Sequence, residues 1–272
     1  MMINLTKNHG RIVKRWPLIG FLIFMLVVNQ LLRSPFHIWN DLSTMRLALH
    51  GYRHVLYDRP EFSLGVLEKN ADGNGDSVVV SFPDFRSAAG FWFPVLNQLP
   101  DDKVIRFVEW FGESDSEWIE QSIVFTDLDL MLSTVLSDNP SEVHIVGQGL
   151  GAWLALRYQA KFPDKNIRVT AIHPEGLTEA KLYPQTLAEL SAVKTAWVGE
   201  QWVPTFALID WLEWLDNPVK LAIHREMHLE SVLEHSIANM KTEIIQLDDG
   251  EWKDCSHEVA WTCSEAVLTL FQ

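Results

Sequence analysis

Apolar positions in this chain follow two regimes. From Trp16 to Val28 almost every residue is apolar, with no polar face between Pro17 and Val28, and Leu31 and Leu32 carry the run to Arg33. A core of about 17 apolar residues is the lower limit for a helix that crosses a bilayer. The pattern therefore predicts a transmembrane segment over 16–33. Residues 34–58 then read as a juxtamembrane helix and linker carrying Trp39, Leu42, Met45, Leu47 and Leu49. Beyond them, short β-rich runs alternate with helical segments. Strands are predicted at Ser63–Glu68, Ser77–Ser81, Val104–Trp110, Val143–Val146, Arg168–Ile172, Thr205–Ile209 and Thr242–Leu247. Helices are predicted after Trp92 to about Leu99, over Glu117–Leu136, from Ala152 to Tyr158 and over Glu258–Phe271. Residues Asn70–Asp76 form a turn rich in Gly, Asn and Asp. The continuous run Val78-Val79-Val80 suits a strand buried on both faces. Strands alternating with helices imply right-handed crossovers, hence an α/β body with a mainly parallel sheet and helices on both faces.

Charge sharpens the first regime. Lys7, Arg11, Lys14 and Arg15 precede the apolar run, and no Asp or Glu occurs before Asp41. Positive residues ahead of a span keep that end in the cytoplasm and place the remainder outside. The segment Asn29–Ser34 offers no pair of small residues for cleavage, which favours an uncleaved signal anchor over a cleaved peptide. The expected organisation is a basic tail at 1–15, an anchor at 16–33, the linker at 34–58 and one body at 59–272. The expected location is a bacterial inner membrane, crossed once, with the body in the periplasm. At 272 residues and 47% hydrophobic, the chain can bury one sizeable core. After the first 35 residues it holds 17 basic and 36 acidic residues, a net charge of about −19. So acidic a body argues against a nucleic-acid partner and against adhesion to anionic lipid through its own surface. The two cysteines, Cys255 and Cys263, lack metal-site spacing, so no zinc site is expected. In an oxidising compartment they would pair as a disulfide. Two buried thiols are the other reading, and the sequence leaves both open.

Chemistry concentrates at one turn. The predicted strand Val143–Val146 runs into Gly147-Gln148-Gly149-Leu150-Gly151, and a helical run follows from Ala152. Strand, tight glycine turn and helix are the setting of the nucleophile elbow G-x-S-x-G, and Gly149 stands where that motif has serine. A Rossmann fingerprint would need G-x-G-x-x-G, which is absent.

Further segments join this one in a recognisable order. Pro83-Asp84-Phe85, with Trp92 downstream, is similar to the H-G-F segment after the third strand of α/β-hydrolases. Gly112-Glu113-Ser114-Asp115 resembles half of their G-x-G-x-S-D segment. Asp216-Asn217-Pro218-Val219 matches their acid loop, and His257 stands before the final helix as their late histidine does. Over most of residues 77–271 the chain resembles an α/β-hydrolase. It also resembles exported proteobacterial hydrolase-like proteins that lack the elbow serine.

The resemblance implies a catalytic position at Gly149, with Asp216 and His257 as the other triad members. It implies an oxyanion region at Asp84, Phe85 and Leu150. In an active member the serine attacks, the histidine takes its proton and the acid orients the histidine. Gly149 has no hydroxyl. Pro83 has no N–H to donate, and Asp84 sets a negative charge where an oxyanion would form. An inactive centre is therefore expected. The implied role is a membrane-anchored binding or scaffold module of the cell envelope, with a small acyl ligand or an envelope protein as partner and no cofactor. The alternative is an ester or thioester hydrolase in which His257, backed by Asp216, activates a water beside Gly149.

Plainer readings stand beside each of these residues. His257 is then a loop histidine, Asp216 opens a turn before Pro218, and Glu175 or Glu200 takes the role of acid. Asp84 caps a helix starting near Ser87. Trp197, Trp202, Trp211 and Trp214 fall where hydrolases carry a lid, and such an aromatic set is more often plain core. Gln148 and Trp202 are candidates for lining a ligand pocket.

Overall fold

The computed structural model describes residues 16–33, 35–71, 77–84, 87–110, 116–118, 125–137, 140–174, 242–245, 252, 255 and 259–271. Two helices come first, α1 (Trp16–Arg33) and α2 (Pro35–Leu49). They are followed by β1 (Tyr52–Asp58), β2 (Phe62–Lys69), β3 (Ser77–Phe82), α3 (Ala89–Leu96), β4 (Val104–Val108), β5 (Glu117–Trp118) and α4 (Phe125–Val135). The chain continues through β6 (Glu142–Gln148), α5 (Leu150–Lys161), β7 (Ile167–Ile172), β8 (Thr242–Ile245), α6 (Val259–Thr262) and α7 (Ser264–Thr269).

Among the described residues, eight strands make one sheet in the order β1-β2-β4-β3-β6-β7-β8, with β5 pairing to β2. The five strands from β4 to β8 along this order are mutually parallel, and β1 and β2 add antiparallel at the edge. The parallel strands are buried along most of their length, as Val78–Val80 predicts. Consecutive strand residues point to opposite faces. Phe107 meets Trp92 of α3, with ring centroids 5.9 Å apart, while its neighbour Arg106 reaches the Val135 carbonyl at the end of α4. Helices therefore cover both faces, as expected.

Arg106 also shows how a charge is held inside this sheet. Its Nε donates to Glu68 Oε1 at 2.9 Å, and the Tyr57 hydroxyl donates to the same oxygen at 2.6 Å. Glu68 and Arg106 are each 5% exposed. A buried carboxylate persists when paired and hydrogen-bonded in this way.

Several expectations need correction. Of the helix and linker expected over residues 34–58, the helix is present as α2, but the linker forms an edge strand, β1, paired in register with β2 from Tyr52↔Lys69 to Asp58↔Ser63. Of the β1 residues only Tyr52 is buried, so the strand lacks the apolar alternation that would mark it. The helix expected over Glu117–Leu136 gives way at its start to β5, where Trp118 pairs with Phe62, and the helix begins at Phe125. The strand expected to reach Trp110 ends at Val108. The last helix is broken at Cys263, whose backbone is non-helical (φ −130°, ψ 44°) and whose sulfur is bonded to Cys255. The strand expected at Thr205–Ile209 lies outside the described residues.

The N-terminal segment needs a correction of its own. Among the described residues no helix is long and apolar enough to cross a membrane. Helix α1 has 18 residues, a rise of about 27 Å, against a hydrocarbon core of about 30 Å. Its side chains from Leu18 to Val27 are nonetheless exposed, Leu26 by 67%.

Candidate functional site

In an open α/β sheet, ligands bind beyond the carboxyl ends of the parallel strands. At that end β6 passes directly into α5 through Gly149. The glycine has φ 54° and ψ −120°, so the sharp strand-to-helix turn is kept and occupies a region that side chains rarely adopt. Its N–H donates to the Ile172 carbonyl of β7 at 3.0 Å, and its carbonyl accepts the Trp153 N–H at 3.1 Å. Two turns of chain are pressed together here. A Cβ on Gly151 would strike the carbonyl oxygens of Phe82 and Pro83, at the end of the neighbouring strand β3.

That close approach brings in Asp84. Its side chain is fully buried and lies over Gly149. A Cβ at position 149 would stand 2.5 Å from the Asp84 carboxyl carbon, with Oδ1 at 2.7 Å and Oδ2 at 2.8 Å. Leu150, the residue whose amide would stabilise an oxyanion, donates its N–H to Asp84 Oδ1 at 3.3 Å. A carboxylate at a helix N-terminus is well placed electrostatically, because the first amides of α5 point toward it. The space for a nucleophilic side chain and one oxyanion donor are thus both taken by one aspartate.

The loop that delivers Asp84 is fixed from outside the site. The Trp110 indole N–H donates to the Pro83 carbonyl at 2.8 Å, and the Trp110 ring stands edge-on to Phe82 at 5.2 Å. The Ser87 N–H donates to the Asp84 carbonyl at 2.8 Å. Helix α3 starts beyond that turn with Ala88 as its cap residue and no side-chain cap bond, so Asp84 does not cap it. Trp110 is a positioning residue that the sequence pattern did not single out, because only its place beside β3 gives it this role.

The structure therefore brings together Gly149, Leu150 and Asp84. Gln148 is 1% exposed and sits within the strand end rather than at a surface. Phe85, Trp202, Asp216 and His257 lie outside the described residues, as do Glu175 and Glu200. His173, at the end of β7 beside the elbow, has a positive φ of 44° and donates its N–H to the Ile245 carbonyl at 2.7 Å. Toward the opposite edge of the sheet, His54 Nε2 lies 2.8 Å from Glu109 Oε2, and both side chains surround Gly65 together with the Ser116 hydroxyl. These three residues come from separate strands and loops, so no local motif announces them.

No protein-family model matches the sequence, and no curated protein does. Solved structures do match. A membrane phospholipase A described as a bacterial virulence factor aligns over 92% of this chain and 87% of its own, at 13% identity and a TM-score of 0.63. The carboxylesterase CesB of Bacillus subtilis aligns over 86% of this chain and 95% of its own, at 12% identity and a TM-score of 0.60. The N-acyl homoserine lactonase AidH aligns over 72% and 77%, at 13% identity and a TM-score of 0.55. At such identities the likeness is one of fold, and the fold is that of the α/β-hydrolases.

Proposed function

We propose that this α/β-hydrolase fold is a catalytically silent binding module, attached to a membrane and facing an oxidising compartment such as the periplasm. One observation carries the catalytic half of this reading: the Asp84 carboxylate stands in the nucleophile's place and accepts the Leu150 N–H that would hold an oxyanion. Loss of one oxyanion donor alone costs about 10²–10³ in rate. Here the nucleophile's hydroxyl is missing as well, and a negative charge faces any incoming carbonyl oxygen. The chemistry of a serine hydrolase has no atom from which to start.

The location follows from other features. Helix α1 exposes its apolar side chains from Leu18 to Val27, and the first 35 residues carry five basic and no acidic side chains. Those properties suit insertion into the apolar layer of a membrane with anionic headgroups. The Cys255–Cys263 disulfide suits a compartment where thiols are oxidised. The partner proposed is a small acyl compound or an envelope protein, met beyond the carboxyl ends of the parallel strands, where open α/β sheets take their ligands.

The test is hydrolysis of short- and long-chain acyl esters by the full chain in detergent, beside His257→Ala. No turnover in either form is the expected result. Turnover in the unmodified chain that His257→Ala abolishes would overturn the reading in favour of a hydrolase that activates water through that histidine.

A further inference from the structure

Helix α2 has two apolar flanks and uses one. Trp39, Ser43 and Leu47 form the packed flank. Trp39 stands edge-on to Phe91 of α3 at 4.8 Å, Asn40 Oδ1 accepts the Gly90 N–H at 2.9 Å, and Leu47 is fully buried. The second flank runs through Leu42, Met45 and Leu49, spaced to lie along one side of a helix. These side chains are 53%, 66% and 87% exposed. Substantial exposure of three successive large apolar residues on one stripe marks a surface that something covers.

Two features on the same segment identify what covers it. A single residue, Ser34, separates α2 from α1, whose apolar side chains from Leu18 to Val27 are exposed. With α1 inserted as proposed above, chain one residue beyond it falls at the boundary between headgroups and acyl chains. At this junction Arg33 ends α1, and a basic side chain there suits the headgroup layer. Arg46, between the two flanks, lays its guanidinium over the Phe93 ring at 4.6 Å.

We propose that α2 is an interfacial helix that seats Leu42, Met45 and Leu49 into the headgroup boundary of the bilayer that holds α1, and so keeps the body against it. The proposal rests on the membrane attachment of α1. It adds that the body is docked rather than swinging on a tether, and that the docked helix is the one packed on α3, just after the loop that carries Asp84.

The experiment uses the full chain with single cysteines at Leu22, Asp164 or Met45, each carrying an environment-sensitive fluorophore. The two native cysteines are bonded to each other and do not label. The variants are reconstituted into phosphatidylglycerol–phosphatidylethanolamine vesicles and quenched with iodide. The expected result is protection at Leu22→Cys and Met45→Cys and free quenching at Asp164→Cys, in the exposed turn between α5 and β7. Protection at Leu22→Cys with free quenching at Met45→Cys would overturn the docking and leave the attachment standing. Free quenching at Leu22→Cys would overturn the attachment and the docking with it. Protection at Met45→Cys that grows with protein concentration and is independent of lipid would overturn the docking, since a second copy would then be the cover.

Discussion

The Asp84 carboxyl carbon lies 2.5 Å from the point where a Cβ on Gly149 would stand. The two positions share one side-chain volume, 65 residues apart in sequence, and only one of them fills it. Where the hydrolase pattern has a small residue in the loop after β3 and a serine at the elbow, this chain has an aspartate in the loop and a glycine at the elbow.

Restoring the serine alone should therefore fail. Gly149→Ser adds an L side chain at φ 54° and forces it into Asp84, a combination expected to cost at least about 1–3 kcal/mol. Combined with Asp84→Gly, the steric part of that loss should be recovered, giving a favourable coupling of about 1–3 kcal/mol in a denaturation double-mutant cycle. A fluorophosphonate probe should label the double variant and leave Gly149→Ser unlabelled. Equal labelling of both would show that Asp84 does not fill the site.

Breaking the buried ion pair should be costly. Arg106→Met strands Glu68, which keeps only the Tyr57 hydroxyl among the bonds described above. The expected loss is about 3–5 kcal/mol in urea unfolding. Replacing both partners, Glu68→Leu with Arg106→Met, should cost less than Arg106→Met alone, because no buried charge is left without its partner.

Acid should weaken the fold partly through His144. This residue of β6 is 7% exposed and 3.0 Å from the Thr170 hydroxyl. Burial, then the charges of Arg168 and Lys103, push its pKa from 6.5 down to about 4. The folded protein thus holds the neutral ring, while the unfolded chain takes up a proton below pH 6.5. The stabilising contribution is fully present above that pH and is lost as pH falls from about 6.5 to 4. Its size is on the order of 3 kcal/mol. Stability measured at pH 7.5 and 4.5 should fall less in His144→Gln than in the unmodified chain.

Reduction should weaken the C-terminal segment. The Cys255–Cys263 disulfide closes a short loop, with a sequence separation of 8, and a loop of that size is stabilised by about 2–3 kcal/mol in the chain-entropy account. Unfolding midpoints with and without reductant should differ accordingly. Cys255→Ser with Cys263→Ser should abolish the difference.

Features written in neighbouring residues are legible in the sequence alone. The Val78–Val80 run, the alternation of strands with helices and the glycine turn at 147–151 are local patterns set by backbone preference and side-chain period. They are enough to place the elbow and to show that it carries no hydroxyl. The edge strand β1 is not legible in this way, since it is held by pairing with β2 rather than by an apolar pattern of its own. The break at Cys263 is hidden too, because a bond to Cys255 interrupts a run whose composition favours helix. Local pattern likewise marks 16–33 as apolar, but whether such a helix crosses a bilayer is a matter of its length as well. The elbow divides in the same way. Its vacancy is a property of one residue, while its occupation by Asp84 is a property of two strands lying side by side, and contacts between distant segments exist only once the chain has folded.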